Sequence, residues 1–95
     1  MRRPGSPEKR LAHVRQQLAE MRERIRVLDE QVAFQRSVAA DASVRAVVAE
    51  TPLAERERHE AARDLLRLER QRDELADGAA QLSGEQDALL DRMIR

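Results

Sequence analysis

His13 and His59 are the only histidines in this 95-residue chain, and they are the natural place to look for acid–base or metal chemistry. His59 has Glu55 one helical turn before it and Arg63 one turn after it, so a carboxylate, an imidazole and a guanidinium share one charged face. A carboxylate-bridged metal site in a helical protein needs repeated Glu-x-x-His motifs projecting into a core, and the sequence has none. There is no cysteine, which excludes a disulfide, a thiolate zinc site and a cysteine nucleophile. No Gly-rich phosphate loop, HExxH or GxSxG stands anywhere in the chain. Both histidines therefore read as surface residues. The expectation is a non-enzymatic protein with no catalytic residue, no cofactor and no metal ligand.

Arginine is the second candidate chemistry. Lys9 is the only lysine, and every other basic residue is Arg. Arg22, Arg24, Arg26 and Arg36 line helix-forming sequence, and a guanidinium can grip a phosphate or a guanine edge with two donors. That supports an alternative reading as a regulatory hairpin that binds a nucleotide or nucleic acid. The plainer reading makes these arginines partners for glutamates on a neighbouring helix. The formal net charge is zero, with 18 basic and 18 acidic residues, so bulk nucleic-acid binding is not expected. Residues 1–6 read as a flexible basic arm with Arg2 and Arg3, and Lys9 and Arg10 beyond it complete a small basic group read as solvated.

The third chemistry is apolar. Phe34, Val38 and Val48 recur at helical spacing away from the main apolar seam, with Val44, Val47 and Leu53 nearby. A surface of this kind docks a partner helix or a second copy. Alternatively, these side chains fold back over a thin core. They are the candidate partner-binding residues of the chain.

The elements that position these groups follow from periodicity. Leu11, Val14, Leu18, Met21, Ile25, Leu28, Val32, Gln35, Ala39 and Ala42 alternate spacings of three and four. Ala61, Leu65, Leu68, Arg72, Leu75, Ala79, Leu82, Leu89 and Met93 repeat the pattern, with Gln86 as one polar step. This is the seam of a coiled coil. Ser6-Pro7-Glu8 and Thr51-Pro52 both read as helix starts, and Pro52 disfavours helical geometry at Thr51. The sequence predicts an all-α fold: one helix over about 7–49, a turn at about 50–52 and a second helix over about 52–94. Gly78 and Gly84 fall outside the seam as read here, and each weakens the second helix by about 1 kcal/mol relative to Ala.

Charge decides which helix pairs with which. Arg10, Arg15, Arg22, Arg24, Arg36 and Arg45 flank the first seam, with Asp29 the exception. Glu55, Glu57, Asp64, Glu69 and Glu85 flank the second, with Arg92 the exception. Pairing the first helix with the second sets Arg against acid, and the short turn makes that pairing intramolecular and antiparallel. A tight turn predicts layers of Leu11 with Leu89, Leu18 with Leu82, Ile25 with Leu75 and Val32 with Leu68. A register one heptad over would set Gln35 against Arg72. Toward the turn the layers shrink to Ala39, Ala42, Ala46, Ala49, Ala54 and Ala61. A hairpin with so thin a core is marginal alone, so dimerisation into a four-helix assembly or docking on a partner is expected. Leu66, Leu90 and Ile94 also lie off the seam and favour a wide, bundle-like interface.

Composition bounds the rest. The chain is 38% charged and 41% apolar with a single aromatic residue, Phe34, which suits a long helical element. No apolar run is long enough to span a membrane, and no secretion signal is visible, so a cytoplasmic location is expected. Leu68, Leu75, Leu82 and Leu89 form a leucine heptad row, but an acidic segment precedes it where a DNA-reading zipper needs a basic one.

The predicted hairpin resembles in shape the small anti-sigma hairpins that bind cyclic di-GMP through Glu-x3-Ser-x2-Arg-x3-Gln-x3-Asp. Starting from Glu30, the corresponding positions are Phe34, Ser37, Asp41 and Arg45; from Glu69 they are Asp73, Ala76, Ala80 and Gly84. Only the first acid matches, so no binding residue carries over. Transcript-cleavage factors also use a helical hairpin with two close acids at its tip, whereas Asp41 and Glu50 stand well apart here.

Overall fold

A computed structural model describes residues 6–94, and the basic segment expected over 1–6 lies, apart from Ser6, outside the described residues. Two α-helices, α1 (Pro7–Ala49) and α2 (Pro52–Ile94), pack as an antiparallel hairpin. Both starts use the expected caps. Ser6 Oγ accepts from the Lys9 amide at 3.2 Å, and Thr51 Oγ1 accepts from the Ala54 amide at 3.1 Å. Pro7 and Pro52 occupy the first helical positions, where a missing N–H costs nothing.

The turn holds one feature that the sequence pattern did not flag. Glu50 adopts φ 52°, the left-handed region, and its amide donates to the Ala46 carbonyl at 3.1 Å. This closes α1 as a left-handed cap, a position that usually carries glycine or asparagine. Glu50 there carries a steric cost, and an acid at a helix C-terminus is unfavourable to the α1 dipole.

The contacts divide the hairpin into two units, Met1–Ile25 with Glu74–Arg95, and Arg26–Asp73. In the terminal unit, Leu11, Val14 and Leu89 form a buried cluster with Leu82 packed against it, which matches the expected Leu11–Leu89 layer. Leu18 is equally enclosed, at 2% exposure. Arg10 forms an ion pair with Glu85 beside this cluster. Met21, Ile25, Leu75 and Leu82 are only half-buried, because a two-helix layer leaves its flanks open. Met93, at the end of the seam, is exposed.

Gly78 corrects the sequence reading. It is partly buried, and a Cβ built on it would lie 3.2 Å from Met21 Cε and 3.4 Å from Met21 Sδ. It therefore makes room for the Met21 side chain, which the heptad assignment alone did not show. Gly84 faces open space, as expected of a residue off the seam.

In the turn unit the buried residues are Val32, Ala42, Ala46, Ala54 and Ala61, so the expected thinning into alanine layers is present. Ala49 departs from that expectation and is exposed, because the chain leaves the helix at the next residue. Polar seam residues mark the register here. Asp29 Oδ1 accepts from Arg72 Nε at 2.8 Å, and the Gln35 amide donates to the Ala61 carbonyl at 3.1 Å. Arg72 thus lies on Asp29 rather than on Gln35, which selects the Leu11–Leu89 register over the one a heptad away.

Two stability measurements follow. Leu18→Ala should cost about 2–5 kcal/mol, whereas Ile25→Ala, at a half-buried position, should cost roughly half of that; urea melts of both variants compare them. Glu50→Gly should stabilise by about 1 kcal/mol by relieving the left-handed strain, read as a raised urea midpoint. An unchanged or lowered midpoint would mean that Glu50 is held by compensating contacts.

Candidate functional site

Val44, Val47, Val48 and Leu53 are exposed apolar side chains at the turn, while Phe34, Leu66 and Ile94 are exposed farther along the helices. α1 brings Phe34 at 72% exposure, Val44 at 63%, Val47 at 76% and Val48 at 78%, and the first turn of α2 adds Leu53 at 60%. Val38 is half-buried instead, since its position flanks the seam next to Ala42 and Ala39. On α1, Val47 and Val48 follow the buried Ala46 directly. A helix turns by about 100° per residue, so large side chains next to a small seam residue must point away from the partner helix.

Two shallow grooves run over this part of the turn unit. One, of about 310 Å³, is lined by Val44, Val48, Leu53 and Ala54, with Arg45 and Glu57 at its edge. The other, of about 280 Å³, holds Val38, Ala42 and Ala61 between Arg45 and the acids Glu57, Glu60 and Asp64. The first groove is mostly apolar, and the second has Val38 and Ala42 with Gln35 and Arg45 on the α1 side and three carboxylates with Ala61 on the α2 side.

The other candidate groups are more dispersed. His59 is exposed, with Nε2 3.5 Å from Glu55 Oε1. Arg58 also grips Glu55, donating through Nε at 3.0 Å and through a second, shorter contact from Nη2. The Arg58 hydrogen bond holds the Glu55 carboxyl below its ordinary range, aided by the charges of Arg58 and His59. Arg58 is half-buried with its head turned back onto its own helix. His13 is exposed. Among the described residues, no group of three or more His, Asp or Glu side chains is placed to hold a metal ion.

The arginines of α1 do not converge. Arg26 Nη1 donates to Glu30 at 2.7 Å, and Arg36 lies 3.7 Å from Glu69. Arg22 and Arg24 are exposed and two residues apart, a spacing that points them to different sides of the helix. Arg36, Glu69, Arg72, Asp29 and Asp73 instead surround Val32 in a charged groove of about 250 Å³. The hydrogen bond from Arg72 to Asp29, and then that to Asp73, raise the Arg72 pKa above its ordinary value.

No protein-family model matches the sequence, and neither the curated proteins nor the solved structures show a significant match to it. Among the described residues, no helix is long and apolar enough to cross a membrane.

A pH measurement tests the Glu55 cluster. The folded-state pKa of Glu55 is lowered, so its contribution to stability is present above the usual glutamate range and disappears as pH falls through the lowered value. Glu55→Gln should therefore make the acid limb of a stability-against-pH curve shallower and leave its alkaline limb in place. An unchanged acid limb would show that Glu55 and Arg58 do not pair in solution.

Proposed function

We propose that this chain is a non-enzymatic, cytoplasmic interaction module: a coiled-coil hairpin that associates with another protein, or with a second copy of itself, through its turn-end apolar surface. The observation that carries this reading is the exposure of Phe34, Val44, Val47, Val48 and Leu53. These side chains stand beside alanine layers too thin to use them as core. Single exposed hydrophobics are ordinary on a protein surface, but a group of large ones marks a site of association.

The amount of surface supports the same reading. The chain exposes 7384 Å² for a mass of 10.9 kDa, against about 5,600 Å² for a compact monomer of that mass. The difference is about twice the roughly 800 Å² that one partner buries in a standard protein interface. A cytoplasmic setting is supported by the absence of cysteine and of any long apolar segment in the sequence.

Melting across a concentration series, together with multi-angle light scattering, tests the proposal. At low concentration Val48→Ala should change stability by no more than about 0.5 kcal/mol, as at other exposed positions. At rising concentration of the chain or of its partner, Val48→Ala should fall progressively below the parent, because association and folding are linked. A chain that stays monomeric at high concentration, and whose Phe34→Ala and Val38→Ala variants retain every partner in a pull-down, would sink the reading.

A further inference from the structure

The two turn-end grooves share Arg45 and Glu57, and so form one continuous surface within the turn unit. Its two halves differ in chemistry. α1 supplies Val38, Val44 and Val48, with Arg45 and Gln35 among them, and Leu53 extends the apolar part at the start of α2. Farther along, α2 supplies the carboxylates Glu57, Glu60 and Asp64, against the single guanidinium of Arg45. The surface therefore carries three negative charges against one positive. Asp64 is partly neutralised by Arg67 at 2.9 Å. Glu57 and Glu60 are exposed, and neither has an ion-pair partner within 4 Å among the described residues.

We infer that the occupant of this surface is an amphipathic helix with a basic edge, its apolar ridge seated along Val38, Val48 and Leu53 and its Arg or Lys side chains over Glu57 and Glu60. A shallow apolar channel on a helical hairpin suits an incoming helix, which presents anchors at the same repeat. The acid row then decides which helix is accepted. Within these two grooves the acids disfavour an anionic membrane or nucleic acid, while Glu60 and Asp64 also border a neighbouring groove that holds Arg63, Arg67 and Arg70. A second copy could cover the apolar groups, but on this surface it brings only Arg45 as a cation for the three carboxylates.

This inference rests on the interaction-module reading above, and the test separates their failures. The probe is a fluorescein-labelled helical peptide with a Leu/Ala ridge and an Arg edge; its counterpart carries Glu in place of every Arg. Both are titrated with the full chain, and binding is followed by fluorescence anisotropy. The Arg-edged peptide should bind at least about ten-fold more tightly than the Glu-edged one, and the preference should shrink as salt rises from about 0.05 to 0.5 M. The Glu57→Gln/Glu60→Gln double variant should abolish the preference while its circular dichroism stays that of the parent. Val48→Ser should weaken both peptides.

Equal binding of the two peptides would overturn the basic-edge inference and leave the interaction module standing. So would binding of neither peptide combined with concentration-dependent dimerisation that Val48→Ser abolishes, which would assign the surface to a second copy. A chain that binds neither peptide, remains monomeric and captures no partner would overturn both.

Discussion

Each of the two helices has only the other against which to bury its apolar seam, and every other feature of the hairpin depends on that pairing. An isolated helix gains little from backbone hydrogen bonding after the cost of ordering it; most of its stability in a protein comes from packing an apolar face. Here that packing is concentrated in the cluster of Leu11, Val14 and Leu89, with Leu18 equally enclosed. Leu28 and Leu75 contribute at half burial, because a seam between two helices is open on both flanks. A fold built this way has no second layer to absorb surplus apolar side chains.

Charge and polarity refine the pairing without supplying much of its energy. The ion pairs Arg10–Glu85, Asp29–Arg72 and Arg36–Glu69 all cross from α1 to α2. Asp29–Arg72 and Arg36–Glu69 are largely solvent-exposed and contribute little to stability, while Arg10–Glu85 is half-buried. Their value lies in selection, since pairing α1 with another α1 would oppose like charges, and a shifted register would strand Arg72 and Gln35. Gln35 is the clearer marker, because its amide reaches a backbone carbonyl of the facing helix.

The turn end departs from the rest in a consistent way. Its seam is alanine, which lets the helices meet but buries little area, and the large residues nearby, Val44, Val47 and Val48, point outward. Glu50 occupies a backbone conformation better suited to glycine, and it adds an acid to a turn already followed by Glu55 and Glu57. Apolar groups and carboxylates, of which Glu55 is paired with Arg58, are thus displayed on the part of the molecule with the thinnest core.

The sequence by itself determined the class of fold, the two helix spans and the order of the seam. A repeat of three and four residues, two Ser/Thr-Pro starts and opposite flanking charges are local signals, readable without knowing what the residues touch. It also identified Phe34, Val38, Val44, Val47, Val48 and Leu53 as off-seam, since that is a matter of spacing. Only the tertiary structure decided between the two registers, because both satisfy the same heptads and differ only in what faces Gln35 and Arg72. It alone showed that Gly78 accommodates Met21, that Val38 is half-buried while its neighbours are open, and that Glu50 bends into the left-handed region. The apolar row of α1 and the acid row of α2 lie some twenty residues apart in the chain. They become one surface only when the turn reverses the helix and the register sets Val38 and Arg45 across from Glu57 and Glu60. Spacing along a helix reports on which face a residue lies, but not on which residue of the returning helix comes to stand beside it.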